Sequence, residues 1–236
     1  MIVTAGRRDE LAASLGEVRE RIARACAAAD RPAEDVTLVA VTKTYPASDV
    51  VLLAGLGVTD VGENRDQEAE PKAAAVRAAG ATPRWHFIGQ LQRNKAKSVI
   101  AYADVVESVD SVRLATALDR AAAGRPVPLE VLVQVSIDGD PGRGGAAGDD
   151  IWRISDLVAA SAALRLGGVM AVAPQEWDPD RAFEQLAELT GRLVAIHPDA
   201  TTVSAGMSGD LEAAVRHGAT HVRIGTSLLG MRNPLR

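Results

Sequence analysis

A lysine closes the run VTLVAVTK at 36–43, and Thr44-Tyr45-Pro46 follows it. Unbroken small and branched apolar residues suit a parallel strand covered on both faces, and Pro46 stops the ladder. The spacing therefore predicts a strand from Val36 to Lys43 that ends on an amine. Where helices follow strands, ligands bind at the C-terminal strand ends, so Lys43 stands where a nucleophile has something to attack. Flanked by Val41 and Tyr45, it occupies a place where a lysine that lost its hydration would present the neutral amine that condenses with an aldehyde or ketone. The competing reading is a lysine that runs along apolar surface into solvent.

Two later segments offer an anion seat. Ser204-Ala205-Gly206-Met207-Ser208-Gly209-Asp210 and Arg223-Ile224-Gly225-Thr226 each leave a strand and enter a helix, carrying free backbone N–H groups and hydroxyls. Barrels often hold phosphate between the loops after their last two strands, and each helix start contributes ~0.3–1 kcal/mol toward an anion. Taken separately, both segments also read as ordinary helix caps. An amine that traps a carbonyl beside a phosphate seat suits an aldehyde that carries a phosphate, which is pyridoxal 5′-phosphate. Arg223 would then face the pyridine nitrogen, where a permanent cation disfavours ring protonation and weakens the ring as an electron sink. The alternative for Arg223 is a strand-end salt bridge.

These residues need a scaffold, and the periodicity supplies one. Arg8 to Ala29 carries Leu11, Leu15, Val18, Ile22 and Ala25 at helical spacing before Arg31-Pro32 breaks it. Strands are then expected at Val36–Lys43, Val58–Val61, Trp85–Ile88, Asp104–Glu107, Leu129–Ile137, Leu166–Val172, Thr201–Ser204 and His221–Ile224. Between them lie helical stretches from Ser48 or Asp49 to Leu53, Asp66 to Ala79, Gln92 to Ile100, Ser111 to Ala123, Ile151 to Ala162, Asp180 to Ile196 and Asp210 to His217. Pro71 is best placed in the first turn of its helix. Right-handed βα steps without a linker close most economically as a single (β/α)8 TIM-type barrel spanning 1–236, with residues 1–30 as an additional helix packed on it. An open doubly wound sheet is the alternative. Gly57-Val-Thr-Asp-Val61 echoes Gly218-Ala-Thr-His-Val222, which puts Asn64 and Gly225 at comparable strand ends.

Composition removes other classes. Among 236 residues the formal charge is −5 and aromatics are 3%, which argues against a nucleic-acid partner. Arg93, Lys95 and Lys97 form a short basic cluster best read as a solvated face. Cys26 is the one cysteine, so no internal disulfide and no zinc spacing exist, and it reads as packing. The start, MIVTAGRRDE, lacks the apolar core of a signal peptide, and no run reaches the ~18 apolar residues of a membrane span. A cytoplasmic protein without a membrane partner is expected.

The motifs AVTKTYP at 40–46, VGENRDQEAEPK at 61–72, WHFIGQLQRNK at 85–95, SVD at 108–110, GVMAV at 168–172 and SAGMSGDLEAAVRHGATHVRIGTSLLG at 204–230 occur in this order. In them the chain resembles the pyridoxal phosphate homeostasis proteins, a family related to the N-terminal barrel of alanine racemase. The resemblance implies a fold-type III pyridoxal phosphate barrel without the racemase's C-terminal β domain. It implies that Lys43 forms the internal aldimine, that Ser204, Gly225 and Thr226 hold the phosphate, that Arg223 faces the pyridine nitrogen and that Asn64 lines the pocket. His86 and Met207 carry over more loosely, as neighbours of the cofactor.

The chain departs from the family pattern at Ser136, where asparagine is common, at Gly142-Arg143-Gly144, where a Ser-Lys-x-Gly turn is usual, and at Ala205, where methionine is frequent. Those changes leave the aldimine and phosphate positions intact. The expected function is reversible carriage of pyridoxal phosphate in its homeostasis, with apo-enzymes as acceptors, no turnover and a monomeric state. An amino-acid racemase or lyase is the enzyme alternative, and a Schiff-base aldolase acting on a phosphosugar stands behind it. Tyr45 is the available stand-in for a second base, against an ordinary packing role.

Overall fold

A computed structural model describes residues 3–140 and 142–230. The strands are β1 (Thr37–Val41), β2 (Asp60–Glu63), β3 (Arg84–Phe87), β4 (Val105–Val109), β5 (Leu129–Val135), β6 (Leu164–Ala171), β7 (Thr202–Ser204) and β8 (His221–Ile224). They pair in parallel in sequence order, and β8 returns to β1, so the sheet closes into an eight-stranded barrel. The open-sheet alternative is thereby excluded. Helix α1 (Val3–Ala28) precedes β1, and α2 (Ala47–Gly55), α3 (Asp66–Ala78), α4 (Ala96–Val99), α5 (Val112–Ala122), α6 (Asp149–Ala159), α7 (Pro179–Ile196), α8 (Leu211–Arg216) and α9 (Thr226–Leu229) follow successive strands.

The predicted stripe of α1 is buried at Leu11, Leu15, Val18, Ile22 and Ala25, each leucine contributing about 1.5–3 kcal/mol. Two arginines pin the same helix to the mouth of the barrel. Arg7 pairs with Asp49 at 2.8 Å and donates to the Leu229 carbonyl at 3.0 Å. Arg21 pairs with Glu212 at 2.5 Å and donates to the Ser208 carbonyl at 2.7 Å. Both segments expected to seat phosphate are therefore fastened from behind.

Local chemistry accounts for most element boundaries. The Ser111 hydroxyl accepts the Leu114 N–H and starts α5, as its sequence predicts. Helix α2 begins directly after Pro46 rather than at a Ser48 or Asp49 cap, and Asp49, inside its first turn, is engaged by Arg7. Pro71 lies in the second turn of α3 rather than the first, which costs that helix one N–H bond. The expected helix at 92–100 is a 3-10 turn, Arg93–Lys95, followed by the single turn of α4. Cys26 is buried and free.

β1 ends two residues short of Lys43. Its last ladder bond runs from the Thr42 N–H to the Gly62 carbonyl, and the Tyr45 N–H then closes a turn on the Thr42 carbonyl. Lys43 lies inside that turn, and Thr44 adopts a positive φ of 69°. The chain leaves the sheet here because Thr42 is claimed from behind. Its hydroxyl donates to Glu63 Oε1 at 2.7 Å and its carbonyl accepts from Lys72 at 2.8 Å.

Candidate functional site

Strand alternation carries Val39 and Val41 into the barrel, and a side chain built at Gly62 would meet Val39 and Ile88 across the same interior. Lys43 follows Val41 by the same two-residue step and is half-buried. Asn64 and Gly225 are each the first residue past their strands, flanking β1 on the β2 and β8 sides. Gly89 lets the chain pass close to Asn64: a Cβ there would sit 2.1 Å from the Asn64 carbonyl oxygen. The Asn64 Oδ1 atom is buried without a hydrogen-bond partner among the described residues.

Gly225, half-buried, packs against Val41, and Thr226 is exposed at the start of α9. The first amides of any helix lack intrahelical acceptors. The loop after β7 turns at Gly206, whose φ is 91° and whose Cβ position would collide with Ala214 at 2.6 Å. Met207 is 40% exposed beyond it.

Behind this rim the barrel is crossed by a buried polar chain that the sequence reading did not anticipate. Arg223 on β8 donates to Ser204 Oγ on β7 at 2.7 Å and to the Ala171 carbonyl on β6 at 2.7 Å. Ser204 Oγ donates to Glu107 Oε2 on β4 at 2.6 Å, a bond between strands that are not neighbours. Glu107 Oε1 meets His86 Nδ1 at 2.6 Å, and His86 Nε2 meets Asp60 Oδ1 at 2.9 Å. The Ser204 hydroxyl is thus fully buried and engaged in the interior, rather than left free at the rim. His86 also lies inside the barrel wall, joined to the site through Glu107.

Burial alone would lower the His86 pKa, but the hydrogen bonds to Asp60 and Glu107 reverse this and push it up to about 9. Burial would likewise raise both carboxylates, and His86 instead holds each below its ordinary value. Burial lowers Arg223, yet guanidinium stays charged in proteins. His221, with its ring centroid 6.0 Å from that of His86, is lowered by burial and by the neighbouring cation. Two cations therefore face two carboxylates across the interior. A sequence signal for this was present: charged residues interrupt apolar runs at inward positions, as Glu107 does in Val105–Val109.

The Lys72–Glu63 pair, at 2.6 Å with Lys72 8% and Glu63 0% exposed, also escaped the sequence reading. Burial raises the Glu63 carboxyl against the opposing effect of Lys72. The Tyr45 hydroxyl donates to the Gly230 carbonyl at 2.7 Å. In the fifth loop Arg143 is held by Asp138 at 3.5 Å and by the Val172 carbonyl at 2.8 Å. Among the described residues no group of side chains forms a metal centre, and no helix is long and apolar enough to cross a membrane.

A closed parallel barrel with a lysine after its first strand and an arginine in its last defines a class, and residues 13–233 match the alanine racemase N-terminal domain family. Pyridoxal phosphate homeostasis proteins of Mycobacterium leprae and Escherichia coli are 44% and 36% identical to the chain, covering 97% and 95% of it and 96% and 98% of their own lengths. PipY of Synechococcus elongatus, solved with PLP bound, superposes with a TM-score of 0.82 at 31% identity, over 93% of this chain and 100% of that one. Alanine racemase from Bacillus anthracis shares the fold, with a TM-score of 0.68 at 17% identity over 97% of this chain and 57% of its own. The chain belongs to the pyridoxal phosphate homeostasis proteins.

Proposed function

We propose that the protein binds pyridoxal 5′-phosphate reversibly through Lys43 and serves its homeostasis as a carrier without turnover. What carries this reading is the arrangement at the β8–β1–β2 rim, in a chain 31% identical to a relative solved with PLP bound. The residues fit such a ligand: a half-buried lysine, an unpartnered Asn64 Oδ1 and the open backbone of Gly225-Thr226 surround one strand end. When bound, the cofactor supplies an aldehyde that amines capture reversibly and a ring that can draw electrons from a substrate.

Lys43 provides the capturing amine. The amides and hydroxyl of Gly225-Thr226 accept the phosphate, with Met207 and Asn64 closing the sides of the site. Arg223 is held by Ser204 and Ala171 and presents a charge that cannot give up a proton, so it leaves a pyridine nitrogen unprotonated. Ser204 contributes by fixing Arg223. These features favour holding the ligand over withdrawing electrons through it. A second base is also wanting in this reading, since the Tyr45 hydroxyl is spent on the Gly230 carbonyl. The protein acts as a monomer that passes the ligand to apo-enzymes.

The test is borohydride reduction after adding pyridoxal phosphate, with peptide mass mapping of the native protein and Lys43→Ala. Label confined to the Lys43 peptide and lost in the variant is the expected result, and equal scattered labelling of both proteins would overturn it. Loss of Cα-deuterium from any of a broad amino-acid panel, at catalytic amounts of protein, would replace the carrier with the racemase or lyase reading.

A further inference from the structure

We propose that His86 is a positioning residue for Arg223, acting through Glu107 and Ser204, and that its imidazolium keeps the guanidinium on Ser204 and Ala171. The proposal rests on the pyridoxal phosphate reading above and names what controls the residue that would face the ring. Glu107 is the junction. It is fully buried, so its charge must be met inside the barrel. Oε1 is satisfied by His86 at 2.6 Å, while Oε2 accepts from Ser204 at 2.6 Å and lies 4.0 Å from Arg223 Nη1.

With His86 charged, Glu107 needs no direct bond to Arg223, and the guanidinium keeps its two partners at 2.7 Å. With His86 neutral, Glu107 and Asp60 lose the cation they share, and Arg223 becomes the nearest positive charge to Glu107. Closing the 4.0 Å gap then requires Arg223 to leave Ser204 or Ala171. The residue facing the ligand would shift with it.

The charged and titratable groups around His86 are few. Asp60 approaches from β2 and Glu107 from β4, and His221 and Arg223 stand on β8, with Glu130 on β5 acting on His221. Arg84, on the strand of His86, is taken up with Arg165 by Glu130. Among the described residues His221 receives no carboxylate hydrogen bond, and its Nδ1 pairs with the Thr220 hydroxyl at 2.9 Å. The ring placed between Asp60 and Glu107 is therefore the one that carries the charge.

Pyridoxal phosphate titrations of the native protein, His86→Gln and the His86→Gln/Glu107→Gln double variant, run from neutral to alkaline pH, test this. His86→Gln should weaken binding about tenfold near neutral pH, the size expected when a group that orients a ligand contact is lost. Because native His86 itself discharges near 9, the ratio between the two proteins should shrink towards one above that pH. Taking the ratio cancels pH effects common to the two proteins. The double variant, which removes one cation and one carboxylate together, should recover part of the loss. A purely structural role predicts a constant ratio and no recovery.

Nitrogen-15 imidazole spectra of the native protein decide the matter even if a variant fails to fold. Both His86 nitrogens should be protonated near neutral pH, and a neutral His86 would overturn the proposal, as would equal affinities at every pH. Failure of the native protein to label at Lys43 would sink the functional reading instead, which separates the two outcomes.

Discussion

Lys43 and Lys72 converge on one turn and are treated in opposite ways. Lys72 reaches it from α3, is 8% exposed, and is bound to Glu63 and to the Thr42 carbonyl. Lys43 lies in the turn itself, half-buried, and among the described residues it forms no ion pair of that kind. A buried charge is tolerable when partnered, whereas an amine that is to capture a carbonyl must be left free to do so. On the proposed reading, structure and chemistry are divided between two lysines joined through Thr42.

Exchanging their fates gives the largest effect. Lys72→Met should cost about 3–5 kcal/mol in urea unfolding, since it strands the Glu63 carboxylate. Adding Glu63→Gln should return much of that. Lys43→Ala should change stability by no more than about 0.5 kcal/mol while abolishing the reductive label. Equal destabilisation by the two single variants would erase the contrast.

The barrel was legible because apolar runs such as β1 and β5 alternate with helical stretches, and β8 matches its predicted limits, His221–Ile224. Lys43 was misplaced by two residues because the apolar run continues through Thr42 while the hydrogen bonds do not. Thr42 is released by Glu63 and Lys72, partners that are distant in sequence. The polar interior was missed for a related reason. Asp60, His86, Glu107 and Arg223 each look like an isolated polar residue in its own strand, and closure of the barrel brings them together. At Ser204, where the family resemblance implies a phosphate contact, the hydroxyl also bridges Glu107 and Arg223, a link no local sequence signal announces.

The opposite end of the same turn sharpens the division. Tyr45→Phe removes the 2.7 Å bond to the Gly230 carbonyl and should cost about 1 kcal/mol by thermal or urea unfolding. Labelling of Lys43 should proceed at the native rate. If some amino acid is racemised by the native protein and this substitution abolishes the activity, Tyr45 belongs with Lys43 on the chemical side of the turn.

The smallest effect concerns the residue between them. Thr44 is β-branched with φ 69°, a conformation that costs an L-residue about 1–2 kcal/mol. Its side chain is exposed, while its N–H bonds to Glu68 on α3 at 3.2 Å. Thr44→Gly relieves the strain and keeps that bond, at about 0.5–1 kcal/mol of added chain entropy in the unfolded state. A net gain of about 0.5 kcal/mol is expected. The glycine also gives Lys43 more freedom, so capture of pyridoxal phosphate should slow a few-fold despite the higher stability. Stability and capture rate rising together would mean that the strain does not orient Lys43, leaving the bond that Lys72 donates and the bond that Glu68 accepts to hold the turn.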